Sequence, residues 1–241
     1  SSSSLPTKLQ VPGLWTTVQR NDLKRNLIRA AERNEEATIL ALVEQLALLN
    51  PTQCPTAGLM RLGGITTTAT TKKAPLNGKW RLLFTNARDA EAPARTVKNQ
   101  SNEPFGDKVA NAVQVKTGQR IDAARGECVN YIQLGTTETT TKKLPFDRLD
   151  ITIRMTPLSN TRVRLDFLKG RVQNPNALLP TLRDFQFPFP PAALGDFLAR
   201  LRGKDPRVEP PAYFDILYID HDLRVHRTGE GKIFVQQRDG N

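Results

Sequence analysis

Residues 213–238 read YFDILYIDHDLRVHRTGEGKIFVQQR, and this stretch decides the fold. Two β-like segments, 213–219 and 223–226, are tied by an acidic turn, Asp220-His221-Asp222. A second turn, Thr228-Gly229-Glu230-Gly231, leads into a third segment at 232–237. Gly and Asp supply the bent or left-handed backbone that tight turns need. Three strands this late in a chain must pair with strands made earlier, and residues 76–85, LNGKWRLLFT, read as the partner.

Working outward, a period of two begins at Lys79. It predicts Trp80, Leu82 and Phe84 on one face and Lys79, Arg81 and Leu83 on the other. Further β-like pieces follow at 113–115, 127–134, 148–155 and 162–167. In the last two, Ile151, Ile153 and Met155, then Val163, Leu165 and Phe167, alternate with polar residues. One wet face and one dry face, repeated over short strands, predicts an antiparallel sheet rolled into a barrel or a sandwich.

Two helices should precede it. Asn21 or Asp22 can cap the first, with Leu23, Leu27, Ile28 and Ala31 on one side. Asn34-Glu35-Glu36 opens the second, whose stripe is Ile39, Leu42, Val43, Leu46 and Leu49, and Pro51 stops it. Their polar faces mix both signs, so the hairpin is expected to lie on the β domain rather than on a membrane. Residues 1–17 read as a polar tail around Val11-Pro12-Gly13-Leu14-Trp15. The start, Ser-Ser-Ser-Ser-Leu, reads as a processed terminus left from a Ser-rich transit peptide, or as one left by cloning.

Other stretches are less regular. A Thr/Lys run at 66–73 is echoed at 136–143 without matching flanks, which argues against a repeat fold. Residues 86–111 form a long polar loop. Residues 174–212 hold Phe185-Gln186-Phe187-Pro188-Phe189-Pro190-Pro191 and then a helix-like piece at 192–202. Prolines this dense do not fit a central strand. The stretch reads either as a loop folded over the open end of the β domain or as an apolar lip. In the second reading Phe187, Phe189, Phe197, Arg200 and Arg202 would touch a membrane or a partner.

The chain has 241 residues, 38% apolar and 24% charged, enough for a sizeable core. A formal charge of +11 points to an acidic partner, either an anionic lipid surface or an acidic membrane protein complex. Nucleic acid ranks lower, because aromatics are 6% and sit within apolar strand patterns. No run of about 18 apolar residues is present, so no transmembrane helix is expected.

A search for chemistry returns no catalytic set and no metal site. The sequence lacks G-x-S-x-G, a phosphate-cradling Gly loop and C-x-x-C. Cys54 and Cys128 read as separate small thiols, and His221 and His226 have no third ligand at zinc spacing. Asp220 is expected to shape its turn, and Asp222 to pair with an Arg.

LNGKWRLLFT followed by YIDHDLRVHRTGEGKIFV resembles the plastid lipid-associated protein family, the fibrillins or plastoglobulins. That family opens its β domain with L-x-G-x-W-x-L-x-(Y/F)-T and closes it with Y-(L/I)-D-x-D-L-R-(I/V)-x-R-G-x-G-x-x-(F/V)-V. The resemblance covers residues 21 to 238, with Thr228 where the family usually has Gly. It implies a mainly β protein: a tail at 1–20, a helical hairpin at 21–50, and a lipocalin-like antiparallel β-barrel at 76–238. Gly78-Lys79-Trp80 is similar to the G-x-W opening lipocalin barrels, with Arg224 expected to lie across Trp80 and close the barrel.

The implied function is non-enzymatic binding or coating of small isoprenoid, carotenoid or quinone lipids at thylakoids or plastoglobules of the chloroplast. No cofactor is required, although a bound lipid, carotenoid or quinone is compatible with it. Leu82, Phe84, Val115, Ile153, Val163, Leu165, Phe167, Ile216 and Tyr218 are the expected lining. The alternative is a structural or adaptor subunit of a thylakoid-associated complex, with its barrel filled by its own side chains.

Overall fold

The computed structural model describes residues 12–59, 74–87, 113–136, 147–174, 178–191, 210 and 212–240. Helices α1 (Pro12–Glu32) and α2 (Glu36–Leu48) precede the strands. The strands are β1 (Gly78–Thr85), β2 (Val113–Asp122), β3 (Glu127–Thr136), β4 (Arg148–Pro157), β5 (Arg162–Gln173), β6 (Asp184–Pro188), β7 (Tyr213–Ile219), β8 (Leu223–Thr228) and β9 (Ile233–Arg238). All pair antiparallel in one sheet of order β4-β3-β2-β1-β9-β8-β7-β5-β6. β4 also pairs with β5 over most of its length. The early strand β1 lies against β9, as its reading required.

α1 begins at Pro12, inside the stretch expected to be tail and well before the expected caps at Asn21 or Asp22. Proline suits the first helical turn, where its missing N–H costs nothing. The chain turns out of α1 at Asn34, whose φ of 56° is one Asn tolerates. There Asn34 N bonds Ala31 O and Glu35 N bonds Ala30 O, a turn that closes the helix and starts the hairpin.

The two faces of the sheet carry separate cores. Leu27, Ala30, Ala31, Ile39, Val43 and Leu46 of the hairpin pack with Phe84, Tyr218, Leu223, Val225, Ile233 and Val235. The other, inner face gathers Trp80, Ile121, Cys128, Ile153, Met155, Val163, Phe214, Ile216 and Ile219. Leu59, Ala74 and Leu76 join that inner cluster from outside the sheet. Thr56 N bonds Asn160 O at 3.1 Å, fixing the segment after α2 against the β4–β5 turn.

Of three register shifts among the described strands, in β1, in β7 and in the β4–β5 ladder, the first two decide which face Phe84 and Tyr218 take. β1 shifts register between Leu82 and Phe84, and β7 shifts between Ile216 and Tyr218. Each inserts one extra residue and reverses the alternation beyond it. Phe84, Val235, Val225 and Tyr218 therefore form one cross-strand row under the hairpin. This corrects two expectations. Trp80 and Phe84 do not share a face, and Phe84 and Tyr218 belong to the helix side rather than to the inner lining.

The Pro-Phe stretch is partly a strand. β6 pairs β5 at the end of the sheet order, the edge position that Pro tolerates. Phe197, Arg200 and Arg202, the helix-like piece at 192–202, residues 1–11 and the long loop's residues 88–111 lie outside the described residues. Val115 falls in β2, but its side chain is likewise outside the description. Cys54 is half-buried and Cys128 buried, both as free thiols. No helix among the described residues is long and apolar enough to cross a membrane.

Candidate functional site

The inner face is apolar at β4, β5 and β7 but polar where β1, β2, β8 and β9 meet. Trp80 is fully buried, and its Nε1 donates to Leu76 O at 2.9 Å. Two guanidiniums approach its ring. Arg224 Cζ lies 5.0 Å from the centroid and Arg238 Cζ lies 4.2 Å from it. The structure thus brings the expected pair, Trp80 and Arg224, together and adds Arg238, which stands directly across the β1–β9 ladder from Trp80.

The two arginines are satisfied differently. Arg238 donates to three carbonyls, those of Pro75 (2.9 Å), Asn77 and His221, so it ties the entry of β1 to the β7–β8 turn. Gly78 makes room for it: φ there is 125°, and an added Cβ would collide with Arg238 Nη1. Arg224 has zero exposure. Its Nε donates to Gln236 Oε1 at 2.8 Å, and its Nη2 reaches the side-chain oxygens of Gln236 and Gln119. Among the described residues, no carboxylate pairs with it.

Burial pushes the Arg224 pKa down to about 9; Cys128 acts the other way and the Arg238 charge adds to the drop. The Cys128 thiol is pushed up to about 12 by burial, against the pull of Arg224. His226, two residues along β8, is buried and stacks on Phe234 at 4.9 Å, with Phe214 at 4.6 Å. Burial, then the Arg224 charge, holds its pKa well below the usual range.

The β7–β8 turn is an anchor for α1. Asp220 Oδ1 accepts from the N–H groups of Asp222 (3.1 Å) and Leu223 (2.9 Å), the turn-shaping role expected of it. Asp222 pairs with Lys24 rather than with an Arg, and Lys24 Nζ also lies 2.6 Å from Asp220 Oδ2. Burial raises the Asp220 carboxyl, but hydrogen bonds with Asp222, Lys24, Tyr218 and the Leu223 N–H outweigh it and hold the group well below its ordinary range. Asp220, His221 and Asp222 bring ligand atoms within 4.8 Å of one another, the spacing a cation needs. The Lys24 ammonium already bridges the two carboxylates. A cleft of about 600 Å³ opens beside this turn, between Arg20, Thr52, Asn77, His221 and Arg238. Its mixed polar wall does not suit an apolar guest.

At the far end of β5 the aromatic rings form a chain. Phe167 to Phe189 is 5.7 Å, Phe189 to Phe187 is 5.5 Å, and Phe187 to Phe185 is 6.1 Å between centroids. Phe187 lies over Gly170, where a Cβ would strike its ring. Phe167 and Phe185 are exposed, as are Leu178 and Leu179 between them in sequence, while Phe187 and Phe189 are half-buried.

Of the expected lining, Ile153, Val163 and Ile216 are buried in the inner cluster and Leu165 packs against it. Leu82 is half-buried, and Phe167, paired with Ile153 on the same face as Val163 and Leu165, is 37% exposed. The Trp80 strand and the closing hairpin stand in one sheet with the helices packed on it, the region a single family description spans. The PAP_fibrillin family model matches residues 20–237. The chain belongs to the PAP_fibrillin family. It is thereby a plastid lipid-associated protein. No curated protein and no solved structure matches this fibrillin. Thr228, the family departure, is accommodated in this fibrillin because the turn's positive φ falls on Gly231, while Thr228 Oγ1 accepts the Lys232 N–H at 3.2 Å.

Proposed function

We propose that this fibrillin is a non-enzymatic protein that binds one small apolar lipid, of isoprenoid, carotenoid or quinone type, inside a lipocalin-like barrel at thylakoids or plastoglobules. The β4–β5 pairing carries this reading. It turns the order β4-β3-β2-β1-β9-β8-β7-β5 into a ring of eight strands with β6 added at one edge. A ring of eight strands is just wide enough to be filled by side chains or to hold one small ligand. Ile153, Val163, Leu165 and Ile216 are its apolar wall, and Trp80 with Arg224 and Arg238 closes one end.

Phe187 and Phe189, with the exposed Phe185 and Phe167 and a net charge of +11, form the contact with an anionic lipid surface or an acidic membrane complex. Organic extraction of natively purified protein tests the proposal. A stoichiometric pigment or quinone supports a carrier. No small molecule, together with co-purifying subunits, supports the second reading, an adaptor with a filled barrel. That reading is favoured by one observation: Arg224 reaches Gln119 on β2 and Gln236 on β9, so polar side chains cross the inner space.

A further inference from the structure

Among the described residues, Arg224 is a buried cation with no anion. Buried guanidiniums are ordinarily paired, because an uncompensated charge in a low-dielectric interior is costly. Here the hydrogen-bond partners are two neutral amide oxygens, from Gln119 and Gln236, and Nη1 has none among the described residues. Nearby Arg238 adds a like charge rather than relief. Two residues along the same face of β8, His226 Nδ1 is also buried and unpartnered. Unsatisfied buried polar atoms are few in native proteins. Two of them side by side on one face, next to a missing negative charge, describe the complement of a ligand.

Bulges and packing make the pair inward-facing. β8 keeps regular register with β9 from Leu223 to Arg227, so Arg224 and His226 share one face, while Leu223 and Val225 point to the hairpin. Around the pair stand Trp80, Phe214, Phe234 and Ile216. This is an apolar setting with two donors at its centre, once His226 carries its proton on Nδ1.

We infer that Arg224 Nη1 and His226 Nδ1 form an internal head-group site that takes the carboxylate of a long-chain aliphatic acid, its chain lying among the apolar side chains of the inner face. The inference rests on the barrel reading above and adds the chemistry of the head group. One carboxylate supplies two acceptor oxygens, one for each orphan donor, and the charge Arg224 lacks. A water or a neutral carbonyl would satisfy the hydrogen bonds but leave the charge unbalanced. A phosphate dianion would ask for more cations than the single free guanidinium edge provides.

The test uses the wild-type chain and three probes with one chain length: hexadecanoate, hexadecanol and methyl hexadecanoate. Binding is read by tryptophan fluorescence and by the ligand-induced rise in melting temperature, at about pH 8, where the acid is ionised. Hexadecanoate is expected to bind about tenfold or more tighter than either neutral probe, the worth of one charge-assisted hydrogen bond. Equal affinity for the three, or no binding of any, overturns the site. The carrier reading survives the first of those results if natively purified protein yields a neutral pigment or quinone. His226→Phe keeps the ring stack and removes Nδ1. It is expected to shrink the acid-over-alcohol ratio about threefold or more, an effect of part of one hydrogen bond. An unchanged ratio in that variant removes His226 from the site.

Discussion

Arg238 stands across the β1–β9 ladder from Trp80, and its guanidinium carbon sits 4.2 Å from the indole centroid. The same group donates to the carbonyls of Pro75, Asn77 and His221. One side chain thus fastens the first strand, the last strand and the β7–β8 turn.

Arg238→Gln is therefore expected to destabilise the fold by about 2–4 kcal/mol, the sum of a cation–π contact and the charged donors it removes. Arg238→Lys should fall between, since an ammonium keeps the charge but not the planar fork. Urea midpoints of the three proteins check this. A loss under about 0.5 kcal/mol, the range of ordinary surface changes, would show that the fastening is cosmetic.

Phe84 lies in the row Phe84–Val235–Val225–Tyr218 beneath the hairpin and is 4% exposed. Phe84→Ala should cost about 3–5 kcal/mol through the cavity it leaves. It should leave the affinity for any inner-face lipid unchanged. Val163→Ala, on the other face, should cost less in stability, about 1–3 kcal/mol, and alter lipid affinity. Paired denaturation and binding measurements separate the two faces. A lipid defect in Phe84→Ala would return Phe84 to the lining.

His226 gives a pH signature. The folded protein resists a proton that the unfolded chain accepts at about pH 6.5, so stability should fall as pH drops below that value. The slope is at most about 1.4 kcal/mol per pH unit. In His226→Phe this part of the slope, between about pH 6.5 and 5, should vanish. Denaturant midpoints taken across that window decide the matter; parallel slopes in the two proteins would mean that His226 is protonated in the fold.

Lys24 holds Asp220 and Asp222 from α1. Lys24→Met should cost about 2–3 kcal/mol, below the value for a fully enclosed pair because Asp222 stays wet. Asp220 has a depressed pKa, so its contribution is in place above about pH 4 and is lost as pH falls through the depressed value. The variant should show a smaller acid-induced loss below about pH 4. Acid titrations followed by circular dichroism compare the two.

The aromatic chain on β5 and β6 makes the last prediction. Replacing Phe185, Phe187 and Phe189 together by Ser should weaken binding to anionic vesicles about tenfold or more, by removing apolar area that enters the interface. Added salt should weaken the wild type as well, because its attraction is partly electrostatic. Sedimentation with vesicles at low and high salt reads both. Unchanged binding in the triple variant would place the contact elsewhere.

Much of this was legible in the chain itself. Alternation at 148–155 and 162–167 marked two strands, which run on to Pro157 and Gln173, and the stripe of Ile39, Val43 and Leu46 marked a helix resting on a sheet. The facing of Phe84 and Tyr218 was not legible. A bulge depends on register against a partner strand, and Leu83 and Leu217 look like ordinary strand residues in sequence. Arg238 escaped for the same reason: its meaning comes from standing opposite Trp80, a relation only pairing creates. β2 was longer than its apolar start at 113–115 suggested, because Lys116, Gln119 and Arg120 are polar strand residues. β6 was hidden by prolines that an edge position tolerates.

Leu59, Ala74 and Leu76 fill the inner face beside Trp80, and residues 51–59 are pinned to the β4–β5 turn. The exposed phenylalanines lie at the other extremity of β5, where Gly170 meets Phe187. On the carrier reading proposed above, a container stoppered at its base and sticky at its rim would load and unload through one doorway. Exchange of a guest then becomes a collision event: the rim must touch a donor or acceptor surface, and delivery should scale with the encounter rate between protein and membrane rather than with escape of the guest into water.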